Sequence, residues 1–507
     1  MDRRDFLVAG SASLLAPGAY SALATAPVRP AELRISVDLT RDAGPLPHNW
    51  ETTVGSDRLA IAFRERWLHE LATAHELCGF GSVRCHGLFD DEMGICTRVG
   101  ADGPVTSFVY LDQVYDRLLQ MGVRPFVELS FMPTALASSR NAVFWYRGNT
   151  SPPKRMDDWA KLIEAFARHV VGRYGIREVS TWRFECWNEP NLNFWSATQA
   201  EYFELYRRTV QALKGVDTRL QVGGPATAQM GWIPQFLGYC KAHELPVDFV
   251  SSHVYADDSQ LDVFGQADRY PAEQVIPRAL EQARDQMRQA GYGGTPLILS
   301  EWSSQNPAFI VHTVKACLGL AETLSFWQVS SVFEEQGPPP SFATSVYGLS
   351  MQSSVPRASL HAFTLLHRIG RRQLWCGDGP VLASKRDDGS VALLLWNLAT
   401  THQRGTAGNP IAAFQEEVLP AAEPRRLTLQ LLNAPAKTAR LTLLDPARSS
   451  AEAAYVDMGR PEYPSREEIE ELRRRAALPA PTPIAMRGTD LSIELPANAV
   501  ALLEVPS

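Results

Sequence analysis

Phe184-Glu185-Cys186-Trp187-Asn188-Glu189-Pro190-Asn191 is a β-type run that ends abruptly in Asn-Glu-Pro. Pro190 has no N–H for a strand ladder and steers the residue before it to an extended backbone, so the strand is expected to stop here with Glu189 extended at its end. Successive side chains of a regular strand face opposite ways, so Asn188 and Glu189 share a face only if the chain bulges. A (β/α)8 barrel builds its active site from groups delivered at the C-terminal ends of parallel strands. An isolated Asn-Glu-Pro is more commonly an ordinary acidic loop; its place in the fold decides.

On both sides of this stretch, from about residue 59 to 370, apolar β-rich runs alternate with amphipathic helical patterns, the rhythm of parallel βαβ units. Strands are predicted at 82–86, 124–130, 181–187, 219–223, 249–255, 296–300 and 323–329, with helices at 110–121, 156–174, 198–214 and 271–290. An eighth strand between Leu46 and Leu59 completes a (β/α)8 TIM barrel over 46–370. After a helix-like segment at 357–370 the pattern changes to short alternating runs at 391–396, 426–432, 438–444, 491–495 and 500–505. These predict an accessory antiparallel β-sandwich over 371–507. The run Leu33 to Leu39, within 31–45, is expected to add a strand to it. A polar helix at 466–477, capped by Ser465 with Glu468 three residues on, interrupts the sandwich.

In this count Glu189 follows the fourth barrel strand. The seventh ends in Leu297-Ile298-Leu299-Ser300-Glu301-Trp302-Ser303-Ser304, which delivers a second carboxylate 112 positions later (301 minus 189). Two carboxyl groups facing one another are what glycosidic bond cleavage requires. One donates a proton and the other attacks, and in retaining enzymes they lie about 5 to 5.5 Å apart. Like-charge repulsion from an ionised Glu301 is expected to raise the pKa of Glu189 and suit it to general acid work.

Composition limits the alternatives. The 507 residues exceed the size of a single core, consistent with a large domain and a smaller one. Hydrophobic residues are 45% and charged residues 21%, ordinary globular usage, and the net charge of -7 offers no general attraction to nucleic acid or anionic membranes. Seven scattered cysteines without a CxxC pair read as buried free thiols, neither a disulfide framework nor a zinc site. No HxH pair or HExxH helix supports a metal hydrolase, so no metal or cofactor is expected. Residues 1–26 carry Arg3-Arg4, Phe6-Leu7 and a weakly apolar run ending in Ala22-Leu23-Ala24, similar to a twin-arginine export signal. Export to the periplasm or medium is therefore expected, with no membrane association of the mature chain.

Beyond the two carboxylate segments, Arg84-Cys85-His86-Gly87 with Asp90-Asp91, Phe131-Met132-Pro133, His253-Val254-Tyr255 and Phe333-Glu334-Glu335 complete an ordered set. In that order the chain resembles glycoside hydrolase family 39, which holds β-xylosidases and α-L-iduronidases. The resemblance implies Glu189 as acid/base, Glu301 as nucleophile and Asn188 as partner of the sugar 2-hydroxyl. It also implies His86, His253, Tyr255 and Glu334 as lining of the sugar subsite, Phe131 and Trp327 as aromatic walls, and a non-proline cis peptide after Trp327. The expected partner is a carbohydrate, a xylo-oligosaccharide or other glycoside, cleaved by an exo-acting β-xylosidase. A hydrolase of uronic-acid-containing or exopolysaccharide glycosides and a non-catalytic carbohydrate-binding relative are the alternatives.

Overall fold

The computed structural model describes residues 31–507 except 343–346, 400–422, 435–437 and 487; the expected leader at 1–26 lies outside the described residues. Eight parallel strands close a barrel in chain order: Val54–Arg58, Ser82–His86, Arg124–Leu129, Arg183–Cys186, Gln221–Thr227, Phe249–His253, Leu297–Trp302 and Thr323–Phe326. Phe326 pairs with Val54 and shuts the ring. The helices between them, including Glu65–Cys78, Met156–Tyr174, Gln199–Val216 and Ala272–Ala290, bury one apolar face each against the barrel. Thr198 caps the helix that follows the fourth strand, in a reciprocal capping box with Glu201. Among the described residues no helix is long and apolar enough to cross a membrane.

The first barrel strand is short and reads Val-Gly-Ser-Asp-Arg. Gly55 is required there, since a Cβ would stand 2.7 Å from Cε3 of Trp327, whose indole lies against that strand. The Trp327–Gln328 and Ser130–Phe131 peptides are cis.

The second unit is a sheet of nine strands, in the order Thr482–Ala485, Thr438–Leu444, Val500–Val505, Val391–Trp396, Val381–Lys385, Arg372–Cys376, Ala31–Pro45, Arg425–Leu432 and Asp490–Leu495. All its pairs are antiparallel except one. Ala31–Pro45 runs parallel to Arg425–Leu432, Ala31 opposite Arg425 through Asp38 opposite Leu432, a pairing that the expected all-antiparallel sandwich lacks. The sheet wraps one apolar core in which Val37, Leu393, Leu429, Ile493 and Leu503 meet. Its strand Val391–Trp396 is buried on both faces: Leu393 and Leu395 enter that core, while Leu394 and Trp396 join the barrel core. The helix Arg466–Ala476 forms with the expected Ser465–Glu468 capping box.

Candidate active site

The fourth strand stops at Cys186, and the next residues turn sharply: Trp187 has φ 71 and Glu189 φ 43. Glu189 is therefore not extended, as its place before proline suggested. The left-handed conformation also escapes the right-handed helical region that Pro190 forbids, and local bonds hold it. The Glu189 N–H donates to the Ala226 carbonyl on the fifth strand (2.8 Å), and the Leu192 N–H to the Glu189 carbonyl (3.0 Å). Asn191 exchanges hydrogen bonds with the backbone of Ala228, 3.0 Å and 2.9 Å. These two left-handed residues do the work assigned to a bulge.

Glu301 lies in the seventh strand, and its carboxylate accepts from Arg84 Nη1 on Oε1 (2.8 Å) and from the Tyr255 hydroxyl on Oε2 (2.8 Å). His253 Nδ1 stands 3.0 Å from Glu189 Oε1 and 3.4 Å from Glu301 Oε2, between the two acids. The facing atoms of Glu189, His253 and Glu301 all fall within 4.8 Å of one another, and all three side chains are buried. Two carboxyl groups this close fall on the short side of the two separations that glycoside hydrolysis uses, about 5 to 5.5 Å against about 6.5 to 9.5 Å. The three residues are also, among the described residues, the grouping that could hold a metal ion. Arg84 already lends Glu301 its positive charge.

Arg84 itself is wholly shielded. Beyond Glu301 it donates from Nε to Glu185 (2.6 Å) and from Nη2 to Asn188 Oδ1 (3.0 Å), with Glu128 2.9 Å from Nη2. With its oxygen committed to Arg84, Asn188 has its Nδ2 to offer a sugar hydroxyl. His86 bonds through Nδ1 to Glu128 (2.7 Å) and directs Nε2 toward Glu301 Oε1 (3.9 Å) and Glu335 Oε1 (3.7 Å). Burial opposes a charge on His86, but Glu128 and Glu301 outweigh it and hold the imidazole up to about 9. Burial, reinforced by the charges of Asp57, Glu301 and Glu189, pushes the Glu335 carboxyl well above the usual range.

The indole of Trp327 lies 4.6 Å from the His86 ring, and Phe144 stacks nearly parallel to it at 6.3 Å. Phe131 is fully buried among His86, Phe144 and Trp187, so its ring supports the wall from within. The acid loop after the eighth strand corrects one expectation. Glu334 turns to Arg58 (3.0 Å) and Arg64 (2.8 Å), and its N–H donates to Asp57 (2.6 Å). The neighbour, Glu335, is the one that faces His86.

The pattern of "Glycosyl hydrolases family 39" matches residues 33–490. The chain belongs to glycoside hydrolase family 39. It is 35% identical over 489 residues to a β-xylosidase of Geobacillus stearothermophilus, covering 90% of this chain and 92% of that one. A crystal structure of a monomeric β-xylosidase from Caulobacter crescentus CB15 matches with a TM-score of 0.83 at 33% identity, over 93% of this chain and 99% of that one. Human α-L-iduronidase is 25% identical over 550 residues, covering 92% of this chain and 78% of that one. This family 39 chain is thus a glycoside hydrolase of a retaining family, and its substrate is a carbohydrate.

Four groups of the site in this family 39 enzyme were given no role by the sequence, although three stand inside its quoted motifs: Arg84, Glu128, Glu185 and Glu335. For three of them a signal existed. Arg84 lies two residues before His86 on one strand and so shares its face, while Glu128 and Glu185 are acids in the buried stretches Pro125 to Leu129 and Phe184 to Cys186. Charges at such positions point into the barrel, where each needs a partner.

Proposed function

We propose that the enzyme is an exo-acting β-xylosidase that works by double displacement, with Glu301 as nucleophile and Glu189 as acid/base. The close approach of the two carboxylates, within 4.8 Å, carries this reading. Glu301 attacks the anomeric carbon while Glu189 gives its proton to the glycosidic oxygen, so the aglycone leaves neutral and a glycosyl-enzyme ester forms. Glu189, now ionised, takes a proton from the incoming water, whose oxygen displaces Glu301 and restores both groups. Arg84 and Tyr255 donate to Glu301 and orient it for the attack. Asn188 serves the 2-hydroxyl, where a bond that strengthens in the transition state lowers the barrier.

The glycone assignment rests on the two β-xylosidase relatives at 35% and 33% identity. A uronic-acid substrate would call for a guanidinium turned to the sugar carboxylate, whereas Arg58, Arg64 and Arg84 are each engaged by protein carboxylates. A panel of chromogenic glycosides followed by proton NMR of the first product tests both points. Turnover of the β-xyloside with release of β-xylose supports the reading, and release of the α-anomer overturns it. Export through the twin-arginine route is part of the same proposal, on the strength of Arg3-Arg4 and the run after them. Replacing both arginines by lysine should retain the enzyme in the cytoplasm; unchanged export overturns that part.

A further inference from the structure

His86 and Glu128 sit on adjacent barrel strands, the second and third, with side chains 2% and 0% exposed. The 2.7 Å bond from His86 Nδ1 fixes the ring's rotation, because the opposite nitrogen then has one direction left. Nε2 faces Glu301 Oε1 at 3.9 Å and Glu335 Oε1 at 3.7 Å, on the side of Glu301 away from the oxygen that His253 and Tyr255 touch. His253 also touches Glu189, so that far side is the glycone side of the pair. Glu128 is itself held: Arg84 Nη2 lies 2.9 Å from Oε2 and the Ser130 hydroxyl donates to Oε1.

We propose that Glu128 is a positioning residue of the sugar pocket, which by accepting the His86 Nδ1 proton keeps His86 an imidazolium with its Nε2–H aimed at a glycone hydroxyl. The inference rests on the glycosidase reading of the site. It adds that a residue with no path to the sugar decides both the direction and the charge of a group that has one. The charged and titratable groups facing His86 are Glu128 from the third strand, Arg84 from its own strand, Asp57 from the first, Glu301 from the seventh and Glu335 from the loop after the eighth. Burial would raise the Glu128 carboxyl, but His86 and Arg84 beside it bring it below its ordinary value. Glu128 therefore stays an anion across the working range. A neutral imidazole held in this rotation would turn a lone pair toward the Glu301 carboxylate, which is repulsive; an imidazolium turns a donor there.

Glu128→Gln tests this, since Gln keeps the shape and an acceptor but removes the charge. In enzyme carrying 15N-labelled histidine, the His86 signal, identified by its loss in His86→Gln, should show both ring nitrogens protonated at about pH 7.5 in the parent and a neutral ring in Glu128→Gln. On a chromogenic glycoside the variant should lose about ten- to hundredfold in kcat/KM at that pH, the worth of one charge-assisted hydrogen bond. At about pH 5 the loss should be smaller, because acid drives the ring toward its charged form, and recovery should stay partial because burial and Arg84 still oppose that charge. A loss equal at both pH values, or no loss, overturns the proposal. A neutral His86 in the parent overturns it whatever the variant does, and that spectrum requires no substrate, so its outcome is separate from the fate of the β-xylosidase reading.

Discussion

Arg84 and Glu301 form a buried, hydrogen-bonded ion pair, Nη1 to Oε1 at 2.8 Å, at the centre of the barrel mouth. One guanidinium there serves three carboxylates, Glu128, Glu185 and Glu301, and orients Asn188 as well. Arg84 ties these anions together, so its removal strands several of them at once.

Replacing Arg84 by Met should therefore destabilise the fold by about 3–5 kcal/mol, the usual loss when one partner of a buried ion pair is removed. Urea unfolding measures it. Arg84→Lys keeps the charge but not the fork that reaches several acceptors, so it should restore much of the stability and little of the activity.

Tyr255→Phe removes the hydroxyl that donates to Glu301 Oε2 and leaves the ring. A hydrogen bond to a charged group is worth about 1.5–3 kcal/mol, so kcat/KM should fall about ten- to hundredfold with little change in the unfolding midpoint. Equal activity would mean that His253 and Arg84 suffice to orient the nucleophile.

The thiols make a third prediction. Cys78, Cys85, Cys96, Cys186, Cys240 and Cys317 are buried and unpaired, and Cys376 is half-buried. Burial pushes the Cys78, Cys186 and Cys240 thiols up to about 12, so thiolate is scarce at ordinary pH. A thiol reagent at about pH 8 should label the native enzyme at Cys376 first and slowly, reach all seven residues only on unfolding, and reductant should leave activity unchanged.

Much of this architecture was legible because strands with one buried face keep a period of two and helices cap where Thr198 and Ser465 say they should. The strand Ser82–His86 and the helix Met156–Tyr174 match the sequence reading residue for residue. The first barrel strand had no such pattern, since Gly55 makes room for Trp327, Ser56 accepts from Trp67, and Asp57 and Arg58 bind Glu334, which leaves Val54 as its one apolar residue. Glu334 and Glu335 are adjacent loop acids, and which of them faces the pocket depends on where Arg58 and Arg64 stand, a relation across about 270 residues that no local pattern records. The run Val391–Trp396 lacks alternation for a different reason: it is sandwiched between two cores. Leu393→Ala and Leu394→Ala should each destabilise by about 2–5 kcal/mol, although they point to opposite faces. An outward-facing strand residue would lose far less, so a small loss at either leucine would contradict the double burial.

On the proposed mechanism the two acids divide the reaction in a way kinetics can separate. Glu301→Ala has no atom to form the ester, so turnover should fall by at least about a thousandfold on every substrate, while the fold survives because Arg84 keeps two other carboxylates. Glu189→Ala lacks only the proton donor for the first step and the base for the second. A substrate with a strongly activated phenol needs no proton to leave, so the first step should stay fast, release one equivalent of phenol in a burst, and stall as glycosyl-enzyme. Azide fits where the Glu189 carboxylate was and needs no base, so it should relieve the stall and yield the β-glycosyl azide. An unactivated disaccharide should remain uncleaved with or without azide, because its leaving group still lacks a proton. Equal losses on the two substrate types in Glu189→Ala, with no burst, would assign the proton to another group.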